Sequence, residues 1–374
     1  MHQSPNMELK RINRNRIFRF ILQQRTTSKS EIAYELRISL PTVTQNLAAL
    51  MEQELILETG EYESTGGRRA KMISCNAQAR VAVGIDITRN HISAVVVDLV
   101  GNIIDDIREP FCCSDPNKVP QKVKQLVDSI LLNNRILDES VLGVAVSIPA
   151  IVASDYRTLD TELVLPFPSD FYQYFQEYIR FPYLFYNDAN CGGFAELWRR
   201  RPTERDMFYF SLSGTVGGAA MLGNQIYTGQ YNYSGEIGHT ILVPGGKQCY
   251  CGKHGCVDAY CNANVLAELT NGNLADFFAR LQAGDDEANT RMEAYLDNLS
   301  IAVHNVRMLF DCDIILGGYV GSYSALYLDR LKKKVQALDT FDKAPDYLVG
   351  CHYNTEASAV GAALMYISAF IDQV

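Results

Sequence analysis

No run of about twenty apolar residues occurs in the 374-residue chain, which excludes an apolar membrane-spanning helix. The short apolar stretch IFRFIL near the N-terminus has an arginine inside it, which excludes a secretory leader. The expected location is therefore the cytoplasm, with no membrane partner. A general excess of positive charge is missing as well, the net charge being −9. Residues 1–80 nevertheless hold twelve Lys or Arg against eight Asp or Glu, a balance of +4, so the other 294 residues sum to −13. A mildly basic head on an acidic body points to a head that touches a polyanion, although a solvated surface gives the same count. What the chain does have, 47% hydrophobic and 21% charged residues, is the make-up of a folded globular protein, long enough for two or three domains.

The head carries a pattern of three helices. RINRNRIFRFILQQR places Ile12, Ile17, Phe20 and Ile21 on one helical face, SKSEIAYELR follows as a short second helix, and SLPTVTQNLAALMEQELI is the third. Ser39 suits an N-cap, and Pro41 sits in the first turn, where a missing N–H costs nothing. With Val43, Leu47 and Leu50 facing inward, Thr42, Thr44, Gln45 and Asn46 are left outward near the helix start. That is where a helix-turn-helix presents base-reading side chains to the major groove. LILETGEYESTGGRRAKMISC then reads as two strands around a turn with Gly66 and Gly67, followed by Arg68 and Arg69. Such a wing brings two guanidinium groups to phosphates or to a narrow minor groove. Three-helix units also serve as protein-interaction modules, but the GGRR tip favours duplex DNA.

From Arg80 the pattern changes. VAVGIDITRNHISAVVVDLVGNIIDDI reads as two β-branched strands, VPQKVKQLVDSILLNNRI as an amphipathic helix, and VLGVAVSIPAIV as a buried strand ending in Pro149. FPYLFYNDANCGGFAELW is a strand entering a helix, with Asn187 and Asp188 at the junction. MFYFSLSGTVGGAAMLGNQIYTG is a hairpin around a glycine-rich turn, and DIILGGYVGSY is a late strand ending in Gly317 and Gly318. Alternating strands and helices predict an α/β body whose ligands sit at the carboxyl ends of strands. In this order, the winged helix, GID, SIPA, YNDAN…AE, the glycine-rich hairpin, GEIGH, CYCGKHGC and LGG resemble the ROK family (repressor, open reading frame, kinase) over nearly the whole chain. GEIGH followed by CxCGxxGC is the specific part of the match.

The resemblance implies an α/β fold: an N-terminal winged helix-turn-helix domain (1–78) on a two-lobed actin-like ATPase body like that of ROK sugar kinases. The smaller lobe would take 79–187 plus a C-terminal helix, 356–374. The larger, 188–355, would carry a zinc loop and a sugar site. Family members with the winged helix are typically sugar-responsive transcription regulators; those without it are typically sugar kinases. His239, Cys249, Cys251 and Cys256 supply one imidazole and three thiolates, a closed tetrahedral set for structural Zn2+. The alternative is reduced cysteines packed without metal, as expected of Cys112, Cys113 and Cys312, and His254 and Cys261 are the nearby substitute ligands. The resemblance further implies that Asn187, Asp188, Glu236, His239 and Asp258 hold sugar hydroxyls, His239 ligating zinc through one nitrogen and donating to the sugar through the other. Asp258 stands where the family usually has Glu.

Kinase activity is not expected. Asp188 matches the family's catalytic base, but the acid-x-Gly-Gly-Thr phosphate loop is replaced by Asp86-Ile87-Thr88-Arg89-Asn90. Thr88 and Arg89 put side chains where backbone must approach a nucleotide. The second loop, Ser213 to Ala219, is partly kept, and Pro149-Ala150 replaces Pro-Gly. The predicted protein is a sugar-responsive DNA-binding repressor with structural zinc, acting as a homodimer or higher oligomer on an operator, with no use of ATP or Mg2+. A regulator that still phosphorylates its sugar, and one whose body binds a protein such as a transporter subunit, remain the alternatives.

Overall fold

The computed structural model describes residues 5–61, 71–161, 164–200, 206–341 and 344–374. Helices α1 (Pro5–Gln24), α2 (Lys29–Leu36) and α3 (Leu40–Glu52) form the head. Ser28 and Ser39 cap α2 and α3, their hydroxyls accepting from the N–H groups of Glu31 and Thr42. Strands β1 (Thr26–Thr27), β2 (Ile56–Glu61) and β3 (Lys71–Cys75) make a sheet of order β1-β3-β2. β2 and β3 pair antiparallel as the hairpin expected of a wing. The predicted tip, with Arg68 and Arg69, lies outside the described residues.

Two details of the predicted head differ. Ile12 is 44% exposed, and Phe18 joins Ile17, Phe20 and Ile21 on the buried face instead. The N-terminal part of α1 runs beside the end of the chain, where Arg14 and Asn15 donate to the Val374 and Ile371 carbonyls. Asn46 is buried, its Nδ2 donating back to Thr42 O at 2.8 Å, so it leaves the outward set.

The body repeats one sheet plan twice. The first sheet contains β4 (Val81–Ile87), β5 (His91–Asp98), β6 (Ile103–Pro110), β7 (Val141–Ile148) and β10 (Tyr183–Asn187), in the order β10-β7-β4-β5-β6. A small hairpin, β8 (Ile151–Val152) and β9 (Leu159–Thr161), precedes β10. The second sheet contains β11 (Met207–Leu212), β12 (Val216–Leu222), β13 (Gln225–Tyr227), β14 (Asp313–Gly317) and β15 (Leu348–Gly350), in the order β13-β12-β11-β14-β15. In each sheet three strands pair antiparallel and two more extend from the first in parallel. The sequence reading missed β6. Its Asp105, Asp106 and Arg108 look like loop composition, yet an edge strand tolerates charge along its length.

Amphipathic α4 (Val119–Asn133) buries Val123, Leu126, Val127 and Ile130 in the core of the first lobe. α5 (Asp188–Arg199) packs on β11 and β12 of the second lobe. The second lobe adds α6 (Asp258–Cys261), α7 (Ala263–Ala267), α8 (Leu274–Gln282), α9 (Asp286–Phe310), α10 (Gly318–Gly321) and α11 (Leu328–Leu338). The last helix, α12 (Ala357–Gln373), returns to pack on β4, β5 and β7 of the first lobe and against α5. It approaches α5 so closely that a Cβ at Gly361 would sit 1.7 Å from Cys191 O. Val360, Leu364, Ile367 and Ile371 of α12 share one apolar cluster with Ile17, Phe18, Leu47 and Ile73 of the head. Head and first lobe are thus joined by continuous packing. Among the described residues no helix is long and apolar enough to cross a membrane.

Candidate functional site

A cleft of about 1390 Å³ lies between the lobes. Asp86, Pro149, Asp188, Ser213 and Gly318, at or just past the carboxyl ends of β4, β7, β10, β11 and β14, all line it. This is where an α/β sheet offers backbone and side chains to a ligand.

Asn187 sits at the entry to α5 as its N-cap, Oδ1 accepting from Asn190 N–H at 3.0 Å and Nδ2 donating to Ala150 O at 3.2 Å. Its amide is committed to holding β10, α5 and the loop after β7 in place. Asp188 begins α5 and faces the cleft. Burial, and next the Asp86 carboxylate, push Asp188 up to about 7, with Glu236 adding to the shift. Asp86 is pushed up to about 6 by burial, against the hydrogen bond it accepts from Ser147 Oγ at 2.8 Å. Asp188 is thereby poised to accept a hydroxyl proton or hydrogen bond near neutral pH.

Asp258 is 2% exposed; its Oδ1 accepts from Val216 N–H at 2.6 Å and its Oδ2 from Asn262 Nδ2 at 3.3 Å. It therefore fixes the glycine-rich hairpin to α6 and also borders the cleft. Glu236 is half-buried in the turn before His239, and burial raises its carboxyl. Of the expected sugar residues, Asp188, Glu236 and Asp258 all come within electrostatic reach of one side chain the sequence reading passed over, Tyr250. Its position between Cys249 and Cys251 was the available signal.

His239, Cys249, Cys251 and Cys256 converge, one ligand atom from each lying within 4.8 Å of the others. The loop that carries them is a tight hairpin with bridges Ile241–Cys256 and Gln248–His254. Gly255 holds φ +86 there, and a Cβ on it would meet Val243 O at 1.8 Å, so the glycine of CGKHGC is a steric requirement. Three thiols and an imidazole suit a thiophilic divalent ion such as Zn2+, and four protein donors leave no open position. When bound, such an ion cross-links the loop and does no hydrolytic chemistry.

On the opposite side, Thr88 closes the β4–β5 turn, its Oγ1 donating to His91 O at 3.1 Å. Arg89 is exposed and its Nη2 donates to Val164 O at 3.1 Å. Arg108, which carried no signal in the sequence, reaches from β6 to donate to the Tyr319 hydroxyl at 3.2 Å, its guanidinium 5.1 Å from the ring centroid. Tyr319 in turn donates its N–H to Ser213 Oγ at 3.3 Å. Because Arg108 and Tyr319 belong to opposite lobes, they bridge the cleft on the side where a phosphate cradle was sought, and both line it. On the head, Thr44 and Gln45 are exposed at the start of α3, whereas the Thr42 hydroxyl is 2.8 Å from Ser39 Oγ at the cap.

A winged-helix head on a two-lobed, cleft-bearing body of repeated sheets places the protein among actin-like ATPase folds with an added regulatory-type head. The chain belongs to the ROK family, whose sequence pattern matches residues 82–369. It is 25% identical over 374 residues to the xylose repressor of Bacillus spizizenii, covering 98% of this chain and 97% of that one. To the N-acetylmannosamine kinase of Escherichia coli it is 30% identical over 193 residues, 49% of this chain and 64% of the kinase. Among solved structures, a ROK family transcriptional regulator homologous to E. coli MLC superposes with a TM-score of 0.78 at 20% identity, over 98% of this chain and 97% of that one. A ROK family glucokinase from Streptomyces griseus, in complex with glucose and AMPPNP, gives 0.63 at 22% identity, over 76% and 98%.

Proposed function

We propose that this chain is a sugar-responsive, DNA-binding transcriptional repressor: the head (1–78) holds duplex operator DNA and the interlobe cleft holds a sugar or sugar derivative as effector. Thr42, Thr44, Gln45, Arg68 and Arg69 are the DNA-facing residues of this reading. Asp188, Glu236 and Asp258 are its sugar side, with Asn187 as their scaffold; His239, expected to join them, has its free nitrogen 3.1 Å from the Tyr250 hydroxyl. Zn2+ at His239, Cys249, Cys251 and Cys256 keeps the loop ordered. The body divides after 187, the C-terminal helix 356–374 going with the first lobe. A palindromic operator calls for a homodimer or larger assembly.

The observation that carries the reading is the course of α12. At its start Ser358 Oγ donates to Asp188 O at 3.1 Å, and Ala357 and Ser358 border the cleft. At its end the Ile371 and Val374 carbonyls accept from Asn15 and Arg14 of α1, and Asp372 pairs with Arg19. One helix thus runs from the cleft to the head, which supports the reading that a movement at Asp188 is passed on to α1. The relatives support the same reading, the xylose repressor matching head and body together.

The test is reciprocity. Duplexes are selected by the protein from a random pool, then titrated with D-xylose or D-glucose. Sugar should lower duplex affinity about five- to hundredfold, and the duplex should lower sugar affinity by the same factor. Equal sugar affinity with and without duplex refutes the coupling. The pKa of Asp188 near 7 favours one second reading, a regulator that also phosphorylates its sugar, while the Arg108–Tyr319 tie across the phosphate side opposes it. Sugar-dependent ADP release abolished by Asp188→Asn would establish the second reading.

A further inference from the structure

The His239 side chain was expected to donate to a sugar hydroxyl through its free nitrogen, but a residue of the chain itself stands there. His239 Nδ1 turns to the thiols, 3.9 Å from Cys249 Sγ, while Nε2 lies 3.1 Å from the Tyr250 hydroxyl. The two rings meet edge to face with centroids 5.3 Å apart. Tyr250 springs from the backbone between two thiol residues, borders the cleft, and is 44% exposed there.

The hydrogen-bond inventory of these two groups fixes the consequence. A neutral imidazole has one N–H and one lone pair on its two nitrogens. A metal ion on Nδ1 uses the lone pair, so the hydrogen must sit on Nε2. Nε2–H then donates to the Tyr250 oxygen, and the phenol hydrogen cannot point back at the histidine. It is left for another acceptor, and Tyr250 borders the cleft that Asp188 and Asp258 also line, with the Asp258, Glu236 and Asp188 carboxylates within electrostatic reach of the phenol. Without metal the imidazole takes either tautomer, and the phenol is free to donate to Nε2 instead.

We propose that Tyr250 is the specificity-determining residue of the cleft: it reads an acceptor oxygen of the effector in place of His239, and metal at the thiol loop sets the direction of its hydrogen bond. This rests on the cleft being a sugar site. The ligand it selects presents a hydroxyl or ring oxygen to the phenol and hydroxyl hydrogens to the carboxylates around it, the alternation that a cyclic aldose offers. A sugar hydroxyl is both donor and acceptor, so it closes a chain running from imidazole to phenol to sugar to carboxylate.

The experiment compares wild type and Tyr250→Phe, both zinc-loaded, by calorimetric titration with D-xylose, D-glucose and N-acetyl-D-mannosamine, alongside nitrogen NMR of the histidine rings. Phe keeps the ring and removes the hydroxyl. Affinity for whichever sugar the wild type binds should fall roughly three- to tenfold, the loss expected for one neutral hydrogen bond. Metal content should match the wild type, and the His239 Nε2–H resonance should be present in both proteins but shifted in the variant. After chelation the difference in sugar affinity between the two proteins should disappear. Equal sugar affinity of the two zinc-loaded proteins overturns the role of Tyr250 while leaving the sugar cleft standing. An Nε2 without hydrogen in the zinc-loaded wild type overturns the metal-set direction. A wild type that binds none of the three sugars overturns the sugar reading itself, and with it this proposal.

Discussion

Glu196 offers the sharpest test of how the cleft is held. It lies on α5, 6% exposed, and its Oε1 accepts from the backbone N–H groups of His352 and Tyr353 at 2.8 and 3.0 Å. Those residues lead directly into Asn354 and Thr355, which border the cleft, and then into α12. Glu196→Ala removes the acceptor and leaves both N–H groups facing a gap. The Tyr353 N–H is buried and the His352 N–H partly so, so the first should cost about 1–3 kcal/mol and the second less, a total of roughly 2–4 kcal/mol. That is a large share of the roughly 5–15 kcal/mol that holds a typical domain together. With an unfolding entropy of about 2.1 cal/mol/K per residue over 374 residues, 1 kcal/mol shifts the melting point by about 1.3 °C, so the drop should be roughly 2.5–5 °C. Glu196→Gln keeps one carbonyl oxygen with two lone pairs and should stay within about 1 kcal/mol of wild type. Urea unfolding and thermal melts measure both. If Glu196→Ala unfolds within about 0.5 kcal/mol of wild type, the carboxylate is not what anchors the approach to α12.

Cys251→Ser should lose the bound metal that elemental analysis finds in protein purified without chelator, whereas Cys112→Ser, an exposed thiol elsewhere, should keep it. The raised carboxyls of Asp188 and Asp86 give a pH signature in stability. Their folded values of about 7 and 6 lie above the usual carboxylate range, so their contribution is full below about pH 4 and is lost as pH rises through 6 and 7. Asp188→Asn, which mimics the protonated form, should therefore match wild-type melting near pH 4 and melt above it at pH 8; an offset that does not change with pH would contradict the shift. Gly361→Ala should destabilise by at least about 2 kcal/mol, because the added Cβ meets Cys191 O at 1.7 Å and neither helix backbone can yield without opening the α5–α12 contact. Denaturation of that variant at wild-type urea concentrations would show the helices are looser than packed here.

Short-range chemistry was legible in the sequence. Ser39 caps its helix as expected because a cap is decided by a residue and the N–H three positions later, and Ser28, which the sequence reading did not name, caps α2 in the same way. The four metal-type donors stood out because they lie within eighteen positions, and a loop that short can bring them together by covalent reach alone. Local pattern was also enough for the buried strands β4, β7 and β14, whose β-branched runs have one use in an α/β body. It failed at β6, an edge strand whose charges read as loop, and at Asn46 and Ile12, whose burial depends on what happens to lie opposite the helix.

Tertiary structure alone decided what the candidate site residues do. Asn187 and Asp258 had the right chemistry for sugar hydroxyls, yet backbone groups brought close by folding claim Asn187 Nδ2, which donates to Ala150 O, and Asp258 Oδ1, which accepts from Val216 N–H. A buried backbone group must be paired, and it takes the nearest polar side-chain atom whether or not a ligand would also want it. The Arg108–Tyr319 tie joins residues 211 positions apart, and the Ser358–Asp188 bond joins residues 170 apart. No spacing rule spans such distances, because the two members meet only after the repeated sheets and the returning α12 have fixed their places. Composition and motif thus determined which chemical groups this protein owns, and long-range packing determined which of them were left free to face the cleft.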